Sequence, residues 1–290
     1  MLPLQTFFLS LFFASLFSLA AYRPVPLRVG LGESQKAFFP FRSLFPYFLL
    51  CLSLPLFLTS FSAVSQALLC GMLLTGLFHL WEAKKGESFP AYLALTASLA
   101  FLPALFGLAP RFLTCGKTWL PLSPFWGTVL SAIWFLLVTE ALAGFAFSRV
   151  FTLAETFLAA LGLSLVQSSP LPLCLSGSAA GFLPGSVFSP RPCDKTERLF
   201  LSYALALCGL REGLFSVALP FFFAVPLWER GKRLWLTARS AAEPRHKASF
   251  LLLLFSLLFC LLAVISLKAS LSPLLFLPLV LAVTMLFLVK

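Results

Sequence analysis

Ten carboxylates are a thin supply for a chain of 290 residues, and only one of them is an aspartate, Asp194. The glutamates are Glu33, Glu82, Glu87, Glu140, Glu155, Glu197, Glu212, Glu229 and Glu243. Mg2+-assisted phosphate chemistry uses one or two well-placed carboxylates together with phosphate oxygens. Acids that share a segment with cations therefore matter most, and two segments qualify. Arg191, Asp194, Lys195, Glu197 and Arg198 crowd one short stretch. That suits a phosphate or metal site between two helix ends, or a solvated turn of mixed charge. Residues 229–247 carry six cations and two acids. They can receive a diphosphate, or rest on lipid headgroups and fix topology. Glu140 and Glu155 fall at or near the interior of apolar runs, where an ionisable group is expensive and a functional candidate by default. The alternative is that each pairs with Arg149 or snorkels to the membrane edge.

Other chemistries find little support. His79 and His246 are the only histidines, which argues against a zinc centre. The seven cysteines show no CxxC spacing and read as small apolar side chains without disulfides. Phosphate-cradling glycine loops, HExxH and GxSxG patterns are missing from the sequence.

The elements that must position these groups are membrane helices. Sixty percent of the residues are hydrophobic, 11% are charged, and the mean hydropathy is +0.99. A soluble domain carries roughly a quarter charged residues, so a water-soluble globule is excluded. Disorder has the opposite signature. Nucleic acid would need a soluble basic face, so the net charge of +11 points to loops facing anionic lipid or anionic substrates. The first run, 2–22, is uncharged and has no cation before it. It reads as a retained helix rather than a signal peptide. Further runs lie near 44–62, 65–81, 90–109, 125–146, 150–167, 171–188, 199–210, 214–228, 249–267 and 270–289. At about 20 residues per span, the expectation is one all-α integral membrane domain over 1–290 with roughly ten or eleven transmembrane helices.

Taking 199–228 as a hairpin puts seventeen Lys and Arg after odd-numbered helices and four after even-numbered ones. That bias places the amino terminus outside and the carboxyl terminus in the cytoplasm. Read as one helix, 199–228 would put the most basic loop outside. The cytoplasmic loops then fall near 22–43, 82–89, 189–198 and 229–247, and chemistry belongs there or at the helix ends feeding them.

Four segments resemble the polyprenyl-phosphate N-acetylhexosamine-1-phosphate transferases (glycosyl transferase family 4, which includes phospho-N-acetylmuramoyl-pentapeptide transferase). They are Trp134–Ala141, Gly177–Pro184 followed by Pro190, Leu199–Leu201, and Pro226-Leu227-Trp228-Glu229 with Arg233 and His246 downstream. The resemblance implies a protein of the cytoplasmic membrane in cell-envelope glycan biosynthesis. Such enzymes move a sugar phosphate from a UDP-linked sugar onto undecaprenyl phosphate with Mg2+. A lipid-phosphate oxygen attacks the β-phosphorus and UMP leaves. On that reading Asp194, Glu229 and His246 are catalytic candidates, and Asp194 with Glu82 are metal candidates. Arg191, Lys195, Arg198 and Arg149 would bind substrate phosphate. The loops should bring Arg191, Asp194, Lys195, Glu197, Glu229 and His246 to one cytoplasmic cleft, with His79 and Glu82 nearby.

The departures fall on the acids. The family's paired aspartates fall at His79 and Leu80. Positions of its fifth-helix asparagines and aspartates read Glu140, Ala143, Ala146 and Arg149, and the "PLLDT" aspartate is Glu229. Removing one catalytic electrostatic contact costs about 10²–10³ in rate, so several replacements favour lipid-phosphate binding over transfer. The alternatives are a non-catalytic assembly subunit and an unrelated permease, the latter without internal repeats to support it.

Overall fold

The computed structural model describes residues 2–22, 62–86, 88–167, 169–188, 193–210, 214–238 and 250–270. The chain is mostly helical, with nine α-helices among the described residues. They are α1 (Leu2–Tyr22), α2 (Ala63–Lys85), α3 (Phe89–Leu105), α4 (Pro124–Gly144), α5 (Arg149–Val166), α6 (Pro170–Phe188), α7 (Lys195–Gly209), α8 (Ala224–Ala238) and α9 (Phe250–Lys268). Local signals set several of their ends. The Ser62 hydroxyl accepts a hydrogen bond from the Ser65 backbone N–H, and Ser123 does the same for Trp126 ahead of Pro124 at the first turn of α4. Both arrangements satisfy otherwise orphaned donors. Helix α2 stops at Gly86, whose φ of +84° suits glycine.

Among the described residues, three helices are long and apolar enough to cross a membrane, over Ala63–Glu82, Pro124–Gly144 and Arg149–Val166. Their neighbours show the same lipid-compatible surface. Leu4, Phe8 and Phe12 on α1, and Leu73, Leu77 and Leu80 on α2, are all more than half exposed. Their spacing lines them up on one helix face, and a contiguous apolar ridge of that kind belongs against lipid or a partner. The runs near 44–62 and 270–289 and the basic loop 22–43 lie, apart from their edge residues, outside the described residues.

Helix α7 is the centre of the bundle. Its side chains from Leu199 to Cys208 are all buried, as expected of a helix apolar on every side. The Tyr203 hydroxyl donates to the Ala67 carbonyl of α2 at 2.9 Å. From α4, Trp134 Nε1 donates to the Ala206 carbonyl at 3.0 Å. Helix α6 carries Gly177 and Gly181 on the side facing α1, where a Cβ on Gly181 would stand 2.4 Å from Ala14 Cβ. This small-xxx-small spacing lets two helices approach without side chains between them. Gly181→Leu is accordingly expected to cost about 1–3 kcal/mol by overpacking, read as a lower midpoint in an SDS-titration unfolding curve.

Three sequence expectations need correction. The fold is not purely helical. The connection between α3 and α4 forms a hairpin, β1 (Phe112–Cys115) with β2 (Thr118–Pro121), and β3 (Leu214–Ser216) pairs parallel to β1. The 214–228 run is not a spanning helix: after β3 it forms a 3₁₀ turn, Leu219–Phe223, and only then enters α8. Pro220 lacks the N–H that a continuous helix would use, and the edge of β1 captures the start of the run. Finally, three of the assigned loops, 82–89, 189–198 and 229–247, are partly helix, because charged residues extend helix ends past the apolar stretch. Residues 82–85 finish α2, 195–198 open α7, and 229–238 belong to α8.

Candidate functional site

Three helix ends converge at one end of the bundle: the last turns of α2 and the first turns of α5 and α7. The short turn from Phe145 to Ser148 links α4 to α5, and Thr152 caps it by donating its hydroxyl to the Phe145 carbonyl at 3.0 Å. The Cys193 N–H donates to the Ala146 carbonyl at 3.2 Å, which docks the start of α7 onto this turn. Asp194 occupies the N-cap of α7 and Ser148 that of α5, yet neither side chain accepts a capping hydrogen bond. At both helix starts the N-cap side chain thus leaves the first-turn N–H groups to other acceptors.

At the centre lies a buried ion pair. Arg149 Nη2 donates to Glu197 Oε2 at 2.8 Å, with the side chains 6% and 1% exposed. Burial pushes the Glu197 carboxyl above the ordinary range, and Arg149 draws it back toward the charged form. Burial also raises the neighbouring Cys193 thiol well above its usual value, reinforced by the charge on Glu197. Cys193 is thus an inert thiol rather than a nucleophile. Around the pair, Thr196 Oγ1 donates to Glu82 Oε2 at 3.2 Å. His79 Nδ1 lies 3.9 Å from Asp194 Oδ2.

The structure therefore gathers His79, Glu82, Arg149, Asp194 and Glu197 from three sequence segments, with Lys195 exposed and Arg198 half-buried on the same helix turn. Arg191 and His246 lie outside the described residues. Glu229 is buried in α8, a helix packed along α4, where a Cβ on Gly144 would meet the Pro226 carbonyl at 2.1 Å. From α8 it is Arg233 that borders the cluster, its guanidinium 4.7 Å above the Phe147 ring. Glu140 pairs with Arg230 through a 2.6 Å bond, not with Arg149. Glu155 is fully buried.

Among the described residues no group of three or more His, Cys, Asp or Glu side chains converges as a metal centre would. Glu82 and Asp194 form the nearest donor set, and two carboxylates hold Mg2+ only when phosphate and water oxygens complete the octahedron. Sequence reasoning missed Thr196 as a donor and the partner of Arg149. The Arg149–Glu197 contact spans 48 residues, so no local spacing betrays it. Ser148 and Asp194 are both favoured N-cap residues, the sequence signal that could have located the two helix starts.

No family model matches the chain, and no curated protein is similar to it.

Proposed function

We propose that the chain is a polytopic protein of the cytoplasmic membrane that holds the phosphate of a polyprenyl-phosphate lipid at this cluster. Its scaffold is similar to that of the sugar-phosphate transferases, with ten or so spans. The three long apolar helices support the membrane reading; with 214–228 not a span, Lys and Arg divide eleven to ten between the two sides and set no orientation. The observation that carries the functional one is the meeting of two uncapped helix N-termini, α5 and α7, beside Arg149, Lys195 and Arg198. The dipoles of the two helices favour an anion there. Arg149 and Glu197 neutralise one another, and Lys195 and Arg198, exposed and half-buried on the first turn of α7, are the cations proposed to reach a phosphate at the rim.

Binding without turnover fits these residues better than transfer. The acid that transfer would need at the start of α5 is Arg149, whose charge is already committed to Glu197. A catalytic version has one specific observation in its favour, the approach of Glu82 and Asp194 to the same turn through Thr196 and His79. In that version Glu82 and Asp194 would hold Mg2+, which when bound supplies positive charge to the diphosphate of a UDP-linked sugar. The purified protein, given a UDP-linked amino sugar and undecaprenyl phosphate, is expected to release no UMP above background with or without Mg2+. Mg2+-dependent UMP release that disappears in Asp194→Asn would establish the catalytic version instead.

A further inference from the structure

Glu155 lies inside α5, one of the three helices able to span the membrane. It is 0% exposed, and neither of its carboxyl oxygens has a hydrogen-bond partner. The polar groups facing it come from α9. Ser256 stands closest and is itself buried with an unpartnered hydroxyl, and Cys260 lies one turn further on. The Cys260 thiol points to the Phe222 carbonyl at 3.8 Å, in the 3₁₀ turn that interrupts the 214–238 segment. Helices α6 and α7 also pack on α5, but the electrostatic partners of Glu155 are Ser256 and Cys260, with no cation among them. Arg149, on the same helix, is engaged by Glu197.

An ionised carboxylate with one serine hydroxyl beside it and no counter-charge among the described residues is poorly tolerated in an apolar interior; the group takes up a proton instead. Ionisable side chains inside membrane segments mark proton or ion pathways. We infer that Glu155 is a proton-binding site within the bundle, bounded by α9 and the interrupted segment, and that it exchanges its proton with water. The protonated carboxyl can donate to Ser256 after a small side-chain rotation. Once the proton leaves, the Ser256 hydroxyl alone does not satisfy a buried charge, so the carboxylate draws in water and proton release loosens the packing of α5 on α9.

Infrared spectroscopy of the intact protein in lipid tests this without relying on a variant that folds. The wild type is expected to show a protonated-carboxyl C=O band at neutral pH that downshifts in D2O within hours. Glu155→Gln should remove that band, whereas a band from Glu197 would persist, and Ser256→Ala should move its frequency. Absence of the band, its persistence in Glu155→Gln, or its insensitivity to D2O would overturn the inference. Loss of the band on adding Na+ at constant ionic strength would do so too, by making the site one for a metal cation.

Discussion

Replacing Arg149 with methionine is expected to destabilise the protein by about 3–5 kcal/mol, because Glu197 is left buried without its counter-charge. The cause is the stranded carboxyl rather than the loss of a favourable bond, since a buried ion pair adds little net stability of its own. Glu197→Leu in the same chain should therefore restore most of the loss. The effect carries a sign with pH. Burial raises the Glu197 carboxyl in the folded protein, so the folded state keeps a proton that the unfolded state releases near its ordinary pKa of about 4.3. Stability then falls as pH rises through and above that value. Removing Arg149 takes away the largest influence that opposes this and leaves only the Asp194 backbone hydrogen bond, so the variant should lose more at pH 8 than at pH 5. Thermal unfolding at both pH values, for the single and double variants, reads out all three expectations.

The second large effect is expected at Trp134. Its ring packs against Phe215 at 5.5 Å and Phe223 at 5.7 Å, and its indole N–H donates to α7. A Cβ on Gly209 would stand 2.7 Å from the indole nitrogen, so the end of α7 is shaped around this side chain. One residue thus joins α4, α7 and both parts of the interrupted 214–238 segment. Trp134→Ala removes that volume and leaves the interrupted segment without its anchor. A cost of about 3–5 kcal/mol is expected, with Trp134→Phe recovering part of the packing but not the bond to Ala206. A drop in the unfolding midpoint confined to less than 1 kcal/mol would show that the surrounding phenylalanines close the gap.

How far the sequence foretold these features depends on whether the deciding interaction was local. The uncharged run 2–22 became α1 over Leu2–Tyr22, since continuous apolar residues without a breaker favour one long helix. The 214–228 run was equally apolar but became strand, 3₁₀ turn and helix. Composition does not separate those outcomes for a short run; the edge of β1, a hundred residues earlier, decided it. Gly177 and Gly181 stood in plain view at a four-residue spacing, but their purpose depends on α1 lying against them. In the site, the charged types and the helix starts were legible, and the 79–82 and 193–198 groups do meet. The identity of the partners was not. Arg149 was assigned to phosphate on its charge alone, and only the juxtaposition of α5 and α7 shows that Glu197 claims it.

Discrimination between undecaprenyl phosphate and undecaprenol tests the lipid-phosphate proposal most directly. Both lipids share the polyprenyl chain and differ only in the phosphate that the cluster is proposed to hold. Titrated against the protein in micelles, the phosphate lipid is expected to bind at least about tenfold tighter than the alcohol, since hydrogen bonds to charged groups contribute about 1.5–3 kcal/mol each. The Lys195→Gln and Arg198→Gln double variant should erase that preference while leaving binding of the alcohol unchanged. Equal affinity for the two lipids, or a phosphate preference that survives the double variant, would contradict a phosphate site at the α5 and α7 helix ends.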